Sequence, residues 1–140
     1  MISIRPATVD DVEALCSLDL VARAEAERRE FIKNSVGDGT CRVAVAGGEV
    51  IGYGVLNYTF YRQGFVEMLY VHAGHRRRGV GAALLRELEA RCRTPKLFTS
   101  TNLSNLPTQA LLERLGYTRS GVIHNLDEGD PEIVYFKRLA

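Results

Sequence analysis

The sequence is short of the features that would tie it to a compartment or a macromolecular partner. Its 18 Lys and Arg against 17 Asp and Glu leave a net charge of +1. No basic excess is there to hold nucleic acid or an anionic membrane, and neither partner is expected. No apolar run approaches the ~20 residues of a membrane span. There are three cysteines, Cys16, Cys41 and Cys92. They are odd in number and far apart, with no CxxC pair and no zinc-ligand spacing, so reduced and mostly buried thiols are expected. Met1-Ile2-Ser3-Ile4-Arg5 leads straight into patterned sequence rather than a secretory leader. Repeats, low-complexity tracts and linkers are missing as well. With 140 residues, 46% hydrophobic and 25% charged, the chain is expected to be one cytoplasmic domain spanning 1–140.

What the sequence does contain is regular patterning. Residues 2–5 read as a strand closed by Pro6. Thr8 can cap a helix, with Asp11 placed for a capping box. Val9, Val12, Leu15, Cys16 and Leu18 then form a helical apolar stripe. Residues 20–33 read as a second, polar helix with a thin apolar face, suited to lining a cleft. Residues 41–46, 50–60 and 65–71 read as an antiparallel meander, turned at Gly47-Gly48 and at 61–64. Residues 80–92 form a helix with apolar positions 80, 81, 84, 85, 88 and 92. The strand at 96–101 is reached by a helical crossover and should lie parallel to 65–71 or near it. A short helix at 106–115 is closed by Gly116, which suits a left-handed C-cap. Residues 117–124 and 132–139 read as a last antiparallel pair around an acidic turn. The expected fold class is α/β: one mixed sheet with helices on both faces.

Between the strand at 65–71 and the helix at 80–92 lies His72-Ala73-Gly74-His75-Arg76-Arg77-Arg78-Gly79-Val80-Gly81. A loop rich in glycine and arginine at a strand-to-helix junction aims backbone N–H groups outward. Those donors, the helix dipole and the arginines favour a phosphate-bearing ligand.

These residues resemble the GCN5-related N-acetyltransferases. That family's central motif is Gln or Arg, two residues, Gly, one residue, then Gly or Ala, and here it reads Arg76-Arg77-Arg78-Gly79-Val80-Gly81. Glu67-Met68-Leu69-Tyr70-Val71 matches the family's preceding strand, the Ala-Leu-Leu of 83–85 its following helix, and Asn105 through Gly116-Tyr117 its later Asn-led helix. The resemblance covers the whole chain, most strongly 65–117. It implies an N-acetyltransferase fold in which a meander meets a parallel pair of strands that splay apart. It implies acetyl-CoA as co-substrate and no metal. The backbones of Arg76, Arg77, Arg78, Gly79, Val80, Gly81 and Ala82 would hold the pyrophosphate. Leu69, Tyr70 and Val71 would line the pantetheine arm, and Asn105 would contact it from the other side.

Acetyl transfer needs a neutral amine, and a lysine-like amine with a pKa near ~10.4 is only about one part in a few thousand neutral at pH 7. Glu67 is the candidate general base: it interrupts an apolar strand, and burial would raise its pKa. Many family members carry a proton-donating Tyr in the later helix, where this chain has Leu112. Tyr117, Tyr135 or water would have to substitute, unless the thiolate leaves unaided. His72 and His75 have no third ligand nearby to make a metal site. No Ser/His/Asp or Cys/His set supports an acyl-enzyme. The acceptor is expected to be a primary amine of a small molecule or peptide, chosen by residues 23–34, 58–63 and 127–130, and a homodimer is open. The alternative is a non-catalytic acyl-CoA-binding or sensing domain.

Overall fold

The computed structural model describes residues 1–139, and Ala140, the last residue of the expected 1–140 domain, lies outside them. Strand β1 is Ile2–Pro6. The expected capping box forms at Thr8, whose N–H donates to the Asp11 carboxylate at 2.7 Å, but it opens a 3-10 turn, Val9–Asp11, that leads into α1, Val12–Leu18. Val9 is left exposed rather than joining the apolar stripe.

The polar helix expected at 20–33 is two helices, α2 (Leu20–Ala24) and α3 (Ala26–Gly37). Asp19 caps α2 by accepting from Val21 and Ala22 N–H, and Glu25 at φ −127° is extended and interrupts the run.

The meander is β2 (Cys41–Ala46), β3 (Glu49–Phe60) and β4 (Gln63–Val71). Gly47 and Gly48 have φ of 58° and 77° and make the first hairpin turn. The second turn is tighter than the expected 61–64: only Tyr61 and Arg62, at φ 53° and 62°, lie outside the strands. Helix α4 is Val80–Arg91, β5 is Lys96–Asn102, α5 is Leu106–Arg114, β6 is Thr118–Ile123 and β7 is Glu132–Arg138. Gly116 takes φ 94°, the expected left-handed cap.

Among the described residues the strands make one seven-stranded sheet in the order β1-β2-β3-β4-β5-β7-β6. It is antiparallel except for β4 with β5. That parallel register runs only from Gly64↔Leu97 to Val66↔Thr99, although both strands continue. The last pair is antiparallel as expected, and its second strand, β7, also pairs with β5.

The chain divides into two compact units. One is Met1–Leu56 with Met68–Ala90; the other is Asn57–Glu67 with the chain from Arg91 on. In the first, helices cover both sheet faces. Leu15, Leu18, Ala22 and Ile32 pack with Val43, Tyr53 and Val55, and Met68 and Tyr70 join them. Leu69 and Val71 point the other way and join Val80, Leu84, Ala44 and Ile51. α4 sits close to the strands because Gly54 has no side chain: a Cβ there would lie 3.0 Å from Leu88 Cδ1. In the second unit Val66, Leu97, Leu112, Tyr117, Ile133, Val134 and Tyr135 are buried.

Candidate active site

The site is built from the end of β4, the loop after it and the first turn of α4. His72 N–H donates to Ile51 O at 2.8 Å, which anchors the strand end. A 3-10 turn, Ala73–His75, follows, braced by His72 Nδ1 accepting from Gly74 N–H at 3.1 Å. Arg76 is extended at φ −68° and ψ 155°, Arg77 is left-handed at φ 65°, and Gly79 at φ 79° follows an Arg78 that is not left-handed. A turn with left-handed residues so spaced is the kind of backbone in which successive N–H groups form an anion-binding nest. Gly79 O accepts the first helical bond, from Ala83 N–H at 3.0 Å, so the N–H groups of the first α4 turn have no helical acceptor.

The arginine side chains divide the work. Arg76 Nε donates to Val71 O at 3.3 Å, and a terminal nitrogen of Arg78 lies 3.3 Å from His75 Nδ1. His75 Nε2 lies 3.6 Å from Glu49. Arg76, Arg77, Arg78 and Gly79 are exposed, and Val80 buries its side chain so that only its backbone is available. The residues named from the sequence, Arg76 through Ala82, run through this turn and the first turn of α4, and the N–H groups without a helical acceptor there fit a diphosphate.

On β4, Leu69 and Val71 spend their side chains on the α4 core, leaving backbone as what they offer a ligand. Tyr70 packs on the opposite face, stacks on Tyr53 at 6.1 Å and accepts from Leu20 N–H through its hydroxyl at 3.1 Å. Glu67 corrects an expectation. It is exposed, not buried, and accepts a hydrogen bond from Asn57 Nδ2. It precedes the stretch of β4, Leu69 to Val71, that packs on α4.

The family model described as the acetyltransferase (GNAT) family matches residues 9–117. The chain belongs to the GNAT acetyltransferase family. It is an acetyltransferase, and acetyl-CoA is its co-substrate. A GNAT-family acetyltransferase from Bacillus cereus is 32% identical, with 99% of this chain and 97% of that one covered at a TM-score of 0.92. The ribosomal-protein-S18-alanine N-acetyltransferase of Escherichia coli shares the fold at 19% identity, with 100% and 95% covered and a TM-score of 0.83. So does yncA of Salmonella typhimurium, solved with its cofactor acetyl-CoA, at 21% identity, 99% and 94% covered and a TM-score of 0.79. No curated protein sequence matches.

Other residues of this GNAT chain are committed to structure. Asn105 caps α5: its Oδ1 accepts from Thr108 N–H at 3.2 Å, leaving its Nδ2 hydrogens for a ligand. Leu112 is buried, as are Tyr117 and Tyr135, and the Tyr135 hydroxyl donates to Glu113 at 3.3 Å. The acidic turn is a staple. Asp127 accepts from Asn102 Nδ2 at 2.8 Å, and Asp130 accepts from Ser104 N–H at 3.0 Å and Oγ at 2.6 Å. Tyr58 accepts from Arg93 N–H at 2.9 Å, with the Arg93 guanidinium 4.2 Å over its ring, and Phe60 stacks on Phe65 at 5.1 Å. Among the described residues no cluster of three or more His, Cys, Asp or Glu is placed to hold a metal, and no helix is long and apolar enough to cross a membrane.

One constellation was not legible in the sequence. Asp19 is fully buried and accepts from Tyr53 Oη at 2.6 Å, Arg28 at 2.7 Å, Val21 N–H at 2.9 Å and Ala22 N–H at 3.2 Å. Burial, with the Asp19 carboxylate alongside, pushes the Tyr53 phenol far above its usual range. The Asp before a helical run was a local signal of a cap, but nothing in the pattern linked it to Arg28 or Tyr53.

Proposed function

We propose that this GNAT enzyme transfers acetyl to a primary amine of a small molecule or peptide by direct attack of the amine on the thioester. The observation that supports this is the path from β4 into α4. The β4–β5 register stops at Val66↔Thr99, β4 continues through Leu69, Tyr70 and Val71, and the chain then enters the loop with left-handed Arg77 and Gly79 and the helix start. A strand edge followed by a phosphate nest suits a ligand with a diphosphate at one end and an amide-rich arm at the other.

In this reading the amides of Arg76–Ala82 hold the diphosphate, the β4 backbone at Leu69–Val71 pairs with the arm, and Asn105 meets the arm through its Nδ2. The amine nitrogen bonds to the acetyl carbon, the carbon–sulfur bond breaks, and Glu67 takes the proton the nitrogen sheds. An exposed carboxylate does this through a water and can pass the proton on to solvent. With Leu112, Tyr117 and Tyr135 all buried, the departing thiolate takes its proton from water, which a thiol of pKa about 8.5 permits.

The test is release of free thiol from acetyl-CoA across polyamines, amino acids, aminoglycosides and peptides with free N-termini. Release with a primary amine is expected, and none with any of them would sink the acceptor class. Glu67→Gln should slow turnover by about 10²–10⁴ while leaving coenzyme A affinity in place. An unchanged rate would remove Glu67 from the mechanism.

A further inference from the structure

The group around Asp19 is larger than a helix cap requires. A Ser or Asn accepts the same backbone N–H groups without bringing a buried carboxylate, an arginine and a phenol with it. Buried ion pairs are seldom the most stable filling for a site, so retention of one invites a role. Arg28 supplies it. One terminal nitrogen is fixed on Asp19 at 2.7 Å and also lies 3.6 Å from Met68 Sδ. Met68 is on β4, one residue from Leu69, and shares its sheet face with Tyr70. Among the described residues, Asp19, Tyr53 and that sulfur are the groups engaging the guanidinium, and its side chain remains 21% exposed. A rigidly held arginine therefore shows an unused donor edge beside β4.

Tyr70 adds a second donor on the same face. Its oxygen accepts from Leu20 N–H, and among the described residues no acceptor is placed for its own O–H. The neighbouring cations of the helical layer are spent differently: Arg23 donates to Ser17 O and Arg29 to Ala22 O. One planar fork and one hydroxyl, with a single charge already balanced by Asp19, match a carboxylate better than a doubly charged phosphate.

We propose that Arg28, assisted by Tyr70, binds a carboxylate carried by the acceptor, so that the preferred substrate is an amino-acid-like amine. This rests on the reading that the thioester lies along β4. Asp19 and Tyr53 act as positioning residues, holding the guanidinium still.

The test compares matched acceptors on the intact protein: lysine with cadaverine, ornithine with putrescine, phenylalanine with phenethylamine. The wild type should favour the carboxylate member by about ten- to a hundredfold in kcat/KM, the range for one hydrogen bond to a charged group. Arg28→Lys keeps the charge for Asp19 but loses the fork. It should bring the ratio down to about threefold or less, mainly through KM. If the wild type shows no preference, or Arg28→Lys keeps it whole, the proposal is overturned. Should that variant not melt cooperatively, hexanoate decides on the wild type: competitive inhibition against the amine supports the site, and none at millimolar concentration overturns it. Absence of thiol release with every amine would instead strike the parent reading, so the two failures are distinguishable.

Discussion

At the residue scale, two acidic side chains near the N-terminus do opposite kinds of work. Asp19 is sealed among its partners, whereas Asp11, itself buried, reaches an exposed partner in a two-pronged pair with Arg5, at 2.7 and 3.0 Å, and also accepts from Thr8 N–H. Its hydrogen bond with Arg5 leads the effects that hold its carboxyl down at about 2 against an ordinary 3.8. A carboxyl depressed in the folded state adds stability that is fully present above the unfolded value and lost as pH falls through the folded one. The protein should therefore lose on the order of 1 kcal/mol between about pH 5 and pH 2 from this pair, a modest figure because Arg5 is 44% exposed. Urea titrations at stepped pH should show that decline, and Asp11→Asn should flatten it. The Thr8–Asp11 box was readable in advance because its code is local. The exposure of Glu67 was not. Alternation placed Glu67 on a face shared with Phe65, Leu69 and Val71, but which of these a helix covers depends on where α4 ends up.

At the element scale, the argument concentrates on β4, the loop and α4. Their boundaries were almost fully legible, since a strand of apolar alternation, a Gly/Arg loop and a helix with buried positions 80, 84, 85 and 88 each carry their own pattern. The split of α2 from α3 was hidden, because it comes from Asp19 capping a new helix start and Glu25 turning extended within a polar run. So was the place of β7 beside β5, since strand order depends on contacts far apart in sequence. Gly79 gives the element-scale prediction. Its φ of 79° is in the left-handed region, and a Cβ there would meet nothing within 4 Å, so Gly79→Ala is strained without being crowded. The cost should be about 1–2 kcal/mol of stability, or the loop shifts and loses the nest. Where the loop shifts, coenzyme A should bind about tenfold more weakly by calorimetry, the equivalent of one charge-assisted bond; where it holds, the cost shows in the melting midpoint alone. Gly121→Ala, on exposed β6 with a non-left-handed backbone and open space, serves as the control and should leave affinity alone.

At the scale of the whole molecule, the two compact units are not two separable lengths of chain. The boundary at Leu56 falls inside β3, and the boundary at Glu67 falls inside β4. A strand cannot keep half its ladder while the other half melts without leaving buried backbone groups unpaired, so the units should unfold together. That makes ligand linkage a test of both the fold and the nest. Coenzyme A bound to the loop at 76–82 stabilises only the folded chain, by about 2.7 kcal/mol at a hundred times its dissociation constant. For a chain of this length that corresponds to a rise of about 8–10 °C in a single transition. Pantetheine, which can lie along β4 but offers the loop no phosphate, should at the same concentration raise the midpoint by no more than about 2 °C. Scanning calorimetry distinguishes the outcomes. One peak moved by coenzyme A and barely by pantetheine is expected; two peaks, with one fixed, would mean that the shared strands do not couple the units. Equal shifts from both ligands would take the diphosphate away from the loop after β4.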